Sequence, residues 1–249
     1  MAYSKNYYLK SKRTFTTVRK YAWLFTILVA FGGLWEPKLG LFVLLVMAGL
    51  MITSFFTGRY WCGNICPHGS LFDRLLLSYS RNVKIPSFLN SKIFIALFFV
   101  FFMYNFTRRI LNSFTAWGTY DFFDKLGFVL VVTYLVVFIV GGVLAVLFAP
   151  RAWCQFCPMG TIQKAFHGLG RLLRITKITE KKLTISAQDK CLMCGKCSKV
   201  CPFQLTPHFS FLDNNQFHNI NCIKCSTCIE NCPKGILSLQ TEESCSKTA

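Results

Sequence analysis

The chain has 249 residues, of which 53% are hydrophobic, 16% aromatic and only 15% charged, and its formal net charge is +18. That mixture sets it apart from ordinary soluble domains and points to membrane lipid as a partner. Its basic residues sit beside apolar segments, as positive flanks do on the cytoplasmic side of a membrane, so no nucleic acid is expected.

A helix needs roughly 20 mostly apolar residues to cross the hydrocarbon core, and four stretches reach that length: residues 17–35, 39–57, 88–106 and 126–148. The first is flanked by Lys5, Lys10, Lys12, Arg13, Arg19 and Lys20. Its other end, Phe31-Gly32-Gly33-Leu34-Trp35-Glu36-Pro37, lacks a small-x-small cleavage site, so it reads as a retained span rather than a signal peptide. The third is the shortest, with Lys92 and Arg108 placed to snorkel outward at its ends. No ionisable side chain lies deep in a span, which argues against an ion or proton path.

After the second stretch comes Arg59-Tyr60-Trp61-Cys62-Gly63-Asn64-Ile65-Cys66-Pro67-His68-Gly69, and after the fourth comes Arg151-Ala152-Trp153-Cys154-Gln155-Phe156-Cys157-Pro158-Met159-Gly160. These are versions of one motif, each closing a two-helix hairpin and each followed by an amphipathic segment, residues 70–80 and 161–175. The membrane part therefore reads as an internal duplication about an axis along the membrane normal. Such an axis gathers Cys62, Cys66, Cys154 and Cys157 into four thiolates at the membrane surface, enough for one iron-sulfur cluster, most simply with four irons. Two clusters completed by another subunit, or a zinc or copper ion, are the competing readings. Trp61 and Trp153 are expected in the interfacial aromatic belt.

Beyond Pro150 the chain is polar and holds eleven of the thirteen cysteines. Cys191-x2-Cys194-x2-Cys197-x3-Cys201-Pro202 recurs as Cys222-x2-Cys225-x2-Cys228-x3-Cys232-Pro233. The doubled spacing is that of a bacterial ferredoxin with two 4Fe-4S clusters, in which the fourth cysteine of each run serves the other cluster. One cluster would take Cys191, Cys194, Cys197 and Cys232; the other would take Cys222, Cys225, Cys228 and Cys201. Structural zinc is the rejected alternative, since four cysteines per run and the Cys-Pro endings exceed what a zinc site needs. Cys245 stands alone in a polar tail and reads as a free thiol.

The fold expected is membrane α-helical, four transmembrane helices as two repeated hairpins, plus a C-terminal α+β two-cluster ferredoxin domain. Its divisions fall at residues 1–185, 186–240 and 241–249. Arg59, Arg74, Arg81, Lys84 and Lys92 follow the second stretch, whereas the segments after the first and third are nearly neutral, so a multi-pass protein of the cell membrane with both termini cytoplasmic is expected. That side keeps thiols reduced, which suits metal ligation.

Membrane hairpins ending in Trp-Cys-x3-Cys-Pro and Trp-Cys-x2-Cys-Pro, followed by a double ferredoxin, resemble the NapH-type membrane quinol dehydrogenase subunits of nitrate reductase systems over nearly the whole chain. The same core is similar to parts of NosR and CcoG proteins. The resemblance implies an electron-transfer subunit that exchanges electrons between menaquinone or ubiquinone and a redox partner. That partner would be a cytoplasmic redox protein docking on the ferredoxin domain, or a membrane or extracytoplasmic redox subunit. A CcoG-like role in copper reduction or enzyme assembly is the alternative. His68, beside Cys66-Pro67, is the group best placed to contact a quinone carbonyl or exchange its proton, because imidazole titrates near working pH.

Overall fold

The computed structural model of the protein describes residues 8–119, 121–211 and 215–241. Lys5 and the tail from residue 242, with Cys245, lie outside the described residues. The chain is mostly helical, and three helices are long and apolar enough to cross a membrane: Pro37–Thr57, Lys92–Ala116 and Asp121–Leu147.

Pro37 opens the first of these, at a position where the missing N–H leaves no bond unmade. Gly58 ends it with a φ of +64°, a conformation that suits glycine, and the His167 ring lies against it. In the Asp121–Leu147 helix, Asp121 and Asp124 occupy the first turn, where carboxylates complement the helix dipole. The two helices cross where Gly40 meets Gly127: a Cβ on Gly40 would strike the Gly127 carbonyl, and one on Gly127 the Pro37 carbonyl. Small residues thus bring the backbones into contact, as membrane helices commonly pack. The Lys92–Ser113 helix leaves Ile93, Leu97, Val100, Phe101 and Tyr104 exposed, the pattern of a lipid-facing helix. Its opposite edge carries Phe94 and Phe98, whose rings stand 5.4 and 5.0 Å from Phe156.

The stretch expected as the first span stays helical from Thr17 to Gly32 but irregularly, with Ala22 keeping αR dihedrals between its first two pieces. It runs as Thr17–Tyr21, Trp23–Ile27 and a π-helical turn Leu28–Gly32. Arg19, read from sequence as a positive flank, is buried and donates to Asp73 and to the Gly63 carbonyl. The uncharged run from Tyr21 to Trp35 would reach about 22 Å as a helix, short of a full bilayer core. It nevertheless leads from Arg19, beside the cysteine loops, to Gly33, packed on Val131, and to Pro37, beside Gly127.

In the C-terminal module, β1 (Lys182–Ile185) pairs antiparallel with β2 (Leu237–Gln240), Lys182 opposite Gln240 and Ile185 opposite Leu237. The sheet thus takes in residues that the sequence division at 186 leaves with the membrane part. Between the strands lie two matching cysteine loops, followed by the short helices Lys196–Lys199 and Thr227–Glu230. Leu183, Ile185, Phe211, Phe217 and Leu237 form the module's core.

The module is seated directly on the membrane part. Gln204 donates to the Val83 carbonyl at 2.8 Å and accepts from the Ile85 N–H at 2.9 Å. Lys224 donates to the Thr57 carbonyl at 2.7 Å and to Glu180 at 2.6 Å. Asn64 and Gln155, one from each membrane motif, donate to the Lys224 and Phe203 carbonyls. One apolar core joins Cys62, Cys154 and Phe156 to Phe203, Ile223 and Cys225.

Candidate iron-sulfur centres

Each membrane motif is built the same way. A short helix, Tyr60–Asn64 or Ala152–Phe156, carries the first cysteine, and Pro67 or Pro158 starts the next helix directly after the second. The fold brings the two pairs together, so that Cys62, Cys66, Cys154 and Cys157 all line one cavity of about 110 Å³. Between the long helices, this cavity is walled by apolar groups such as Val46, Leu50, Phe102, Leu130 and Val137.

Two arginines cross between the repeats to hold the site. Arg151 donates to the Cys62 carbonyl at 3.1 Å, and Arg59 donates to the Cys154 carbonyl at 3.1 Å. Gly69 and Gly160 make room for them, because a Cβ at Gly69 would collide with the Arg151 guanidinium and one at Gly160 with that of Arg59. The sequence reading missed both arginines and both glycines. The signal was present as an Arg three residues before the first Cys and a Gly three after the second, in both repeats.

Asp73, also missed, anchors Arg151. Its carboxylate accepts from Arg151 Nη2 at 2.7 Å, from Arg13 at 3.4 Å and from Arg19, all buried. Three cations on one carboxylate leave about two positive charges sealed beside the cysteines. Trp153 is not a belt residue, being 4% exposed against Phe98, while the half-buried Trp61 ring packs on Gly49. Both indole N–H groups are buried without a partner among the described residues, and both side chains line the cysteine cavity. Burial pushes the Cys66 thiol up and the Cys157 thiol up to about 12, so without a metal these groups hold their protons.

His68 lines the same cavity, its ring 4.2 Å from that of Tyr134 and its Nε2 3.3 Å from the Tyr134 carbonyl. Burial lowers its pKa to about 4. In that setting burial favours the neutral imidazole.

In the module, Cys191, Cys194, Cys197 and Cys232 line one cavity, and Cys201, Cys222, Cys225 and Cys228 another. Around each, the backbone takes positive φ on either side of the middle cysteine: Met193 and Gly195 at +47° and +66°, Lys224 and Ser226 at +53° and +59°. Turns of this kind aim successive N–H groups inward and make the anion-binding nests found at iron-sulfur sites. Burial raises the Cys201 thiol to about 12 and Cys222 to about 11.

Among the described residues no three His, Cys, Asp or Glu side chains converge tightly enough for a single metal ion. Four thiols spread around a cavity, with unpartnered N–H donors or N–H nests facing them, suit a larger anionic group. The residues present fit 4Fe-4S clusters.

Comparison with known proteins agrees. A family described as "4Fe-4S binding domain" matches twice, at residues 39–86 and 130–176, once for each membrane motif. A second, "4Fe-4S dicluster domain", matches residues 183–235. The chain carries 4Fe-4S cluster-binding domains, which indicate iron-sulfur electron transfer. Uncharacterized protein MJ0749 of Methanocaldococcus jannaschii is 25% identical over 192 residues, covering 76% of this chain and 67% of that one. Uncharacterized protein MJ0750 of the same organism is 22% identical over 197 residues, covering 76% and 75%. No solved structure matches the chain.

Proposed function

We propose that the chain is a membrane-bound electron relay between a lipid-soluble quinone, menaquinone or ubiquinone, and a cytoplasmic redox protein. The observation that carries this reading is the order of the three cysteine-lined cavities. The membrane quartet opens toward the apolar space between the long helices. The Cys201, Cys222, Cys225 and Cys228 set shares a core with that quartet, and the remaining set reaches the surface at exposed Cys194. One-electron transfer is what 4Fe-4S clusters supply when bound.

The protein's own residues prepare both ends. The apolar side of the cavity, at Val46, Leu50, Phe102 and Val137, offers a surface suited to a quinone ring next to the cysteine site. Neutral His68, donating through Nε2 to the Tyr134 carbonyl, leaves Nδ1 to accept a hydrogen bond from a quinol hydroxyl. Quinol oxidation would release two electrons, one at a time toward the cysteine sites, and two protons to solvent. At the outer end, exposed Leu192 and Met193 lie in the loop of Cys194, with exposed Lys190, Lys196 and Lys234 in the same two cysteine loops. A positively charged rim around an apolar centre suits a small acidic electron carrier.

Four crossings, with both termini on the cytoplasmic side, accompany this reading. Its support is that Leu9 bonds the Lys199 carbonyl on the module's side while Pro37 lies beside Gly127 at the far end. The irregular helix between them then serves as the first crossing.

The test uses reconstituted, cluster-loaded protein. Reduced quinol analogues should bleach the cluster absorbance rapidly. If they do not, while Cu(II) oxidises the dithionite-reduced protein, the copper-reductase alternative replaces the quinone reading.

A further inference from the structure

The two membrane repeats match in their arginines and glycines but not in charge. Seven residues after Cys66 stands Asp73, which neutralises part of the charge on Arg151 and its neighbours. Seven residues after Cys157 stands Lys164. Arg59, the counterpart of Arg151, therefore has a cation where Arg151 has a carboxylate. It is 3% exposed, and beyond the bond from Nη2 to the Cys154 carbonyl its Nε and Nη1 are buried without a partner among the described residues. Its guanidinium carbon stands 4.7 Å from the centre of the Phe203 ring. Phe203 lines the cavity of Cys201, Cys222, Cys225 and Cys228, while Arg59 itself lines the cavity of the membrane quartet.

A buried cation without a counter-charge is costly. The counter-charge within reach is that of the two flanking four-thiolate sites, each roughly −2 when its cluster is bound and oxidised. We infer that Arg59 is a positioning charge shared by the two inner iron-sulfur sites, raising the reduction potential of both and leaving the outer site unaffected. A fixed positive charge favours the more negative, reduced form of a cluster, and net charge and surrounding groups are among the levers that set such potentials. The inference rests on the membrane quartet holding a cluster.

Three variants test it by redox titration of the purified protein, followed by EPR, with iron counted per chain. Arg59→Gln should lower the potentials of both inner sites, and Arg59→Lys should restore most of the shift. Lys164→Glu leaves the arginine and its contact with Phe203 in place while supplying the carboxylate that the second repeat lacks. It should lower the same two potentials at unchanged iron content. The inference is overturned if Lys164→Glu retains its iron and moves neither potential, or if all three potentials move together. A wild-type count of about eight irons instead of about twelve would sink the reading of the quartet, and the claim on that site with it. Unmoved potentials at about twelve irons overturn the inference alone.

Discussion

Asp73 and Glu180 are two buried carboxylates that tie cations into the cysteine-bearing loops. Burial alone would raise the Asp73 carboxyl, but Arg151, Arg19 and Arg13 outweigh it and hold it well below the usual carboxylate range. Removing one partner from such a buried set leaves charges uncompensated, at a cost of about 3–5 kcal/mol. Asp73→Asn should therefore lower the unfolding midpoint in detergent clearly, and an unchanged midpoint would show that the arginines are held by other groups. Glu180 is likewise opposed by burial, yet its bonds to His167 and Lys224 lower its pKa to about 2. With a folded pKa below the unfolded one, its contribution is complete above about pH 4.5 and fades as pH falls toward 2. Protease sensitivity at the seat of the module should rise across that window in the wild type, whereas Glu180→Gln should be sensitive at every pH.

At the scale of elements, Gly63 is the tightest joint between the two parts. A Cβ there would collide with the Ile223 carbonyl, in the loop that carries Cys222 and Cys225. Gly63→Ala should leave the iron count unchanged but slow electron passage from the membrane quartet to the module, read by stopped-flow reduction; an unaltered rate would mean that this contact does not set the spacing. Much of this level was legible in sequence. The apolar runs at 39–57 and 126–148 are long, and all but Phe148 fall within long helices of the structure. The doubled cysteine spacing likewise falls on paired loops. The burial of the arginines around the first segment was not legible, because sequence alone cannot tell a flanking arginine from one paired with a distant aspartate. Arg13 and Arg19 therefore looked like a topogenic flank, although each reaches Asp73 more than 50 positions away. Trp153 misled for the same reason, since its burial depends on Phe98 in another helix.

Over the whole molecule, the duplicated membrane hairpins and the duplicated ferredoxin loops stack two internal repeats on each other, with one apolar core running through the joint. The stacking sets a direction in space, from the apolar cavity at His68 to the basic rim around Cys194. If an acidic carrier docks at that rim, its association should weaken as salt rises, and neutralising Lys190 and Lys196 to Gln should reduce that salt dependence. The central claim is that the membrane repeats complete this path with a cluster of their own. Iron and acid-labile sulfide should be counted per chain after anaerobic purification, in wild type and in a Cys62→Ala, Cys154→Ala double variant. About twelve irons falling to about eight is the predicted result, and about eight in both proteins would contradict the account.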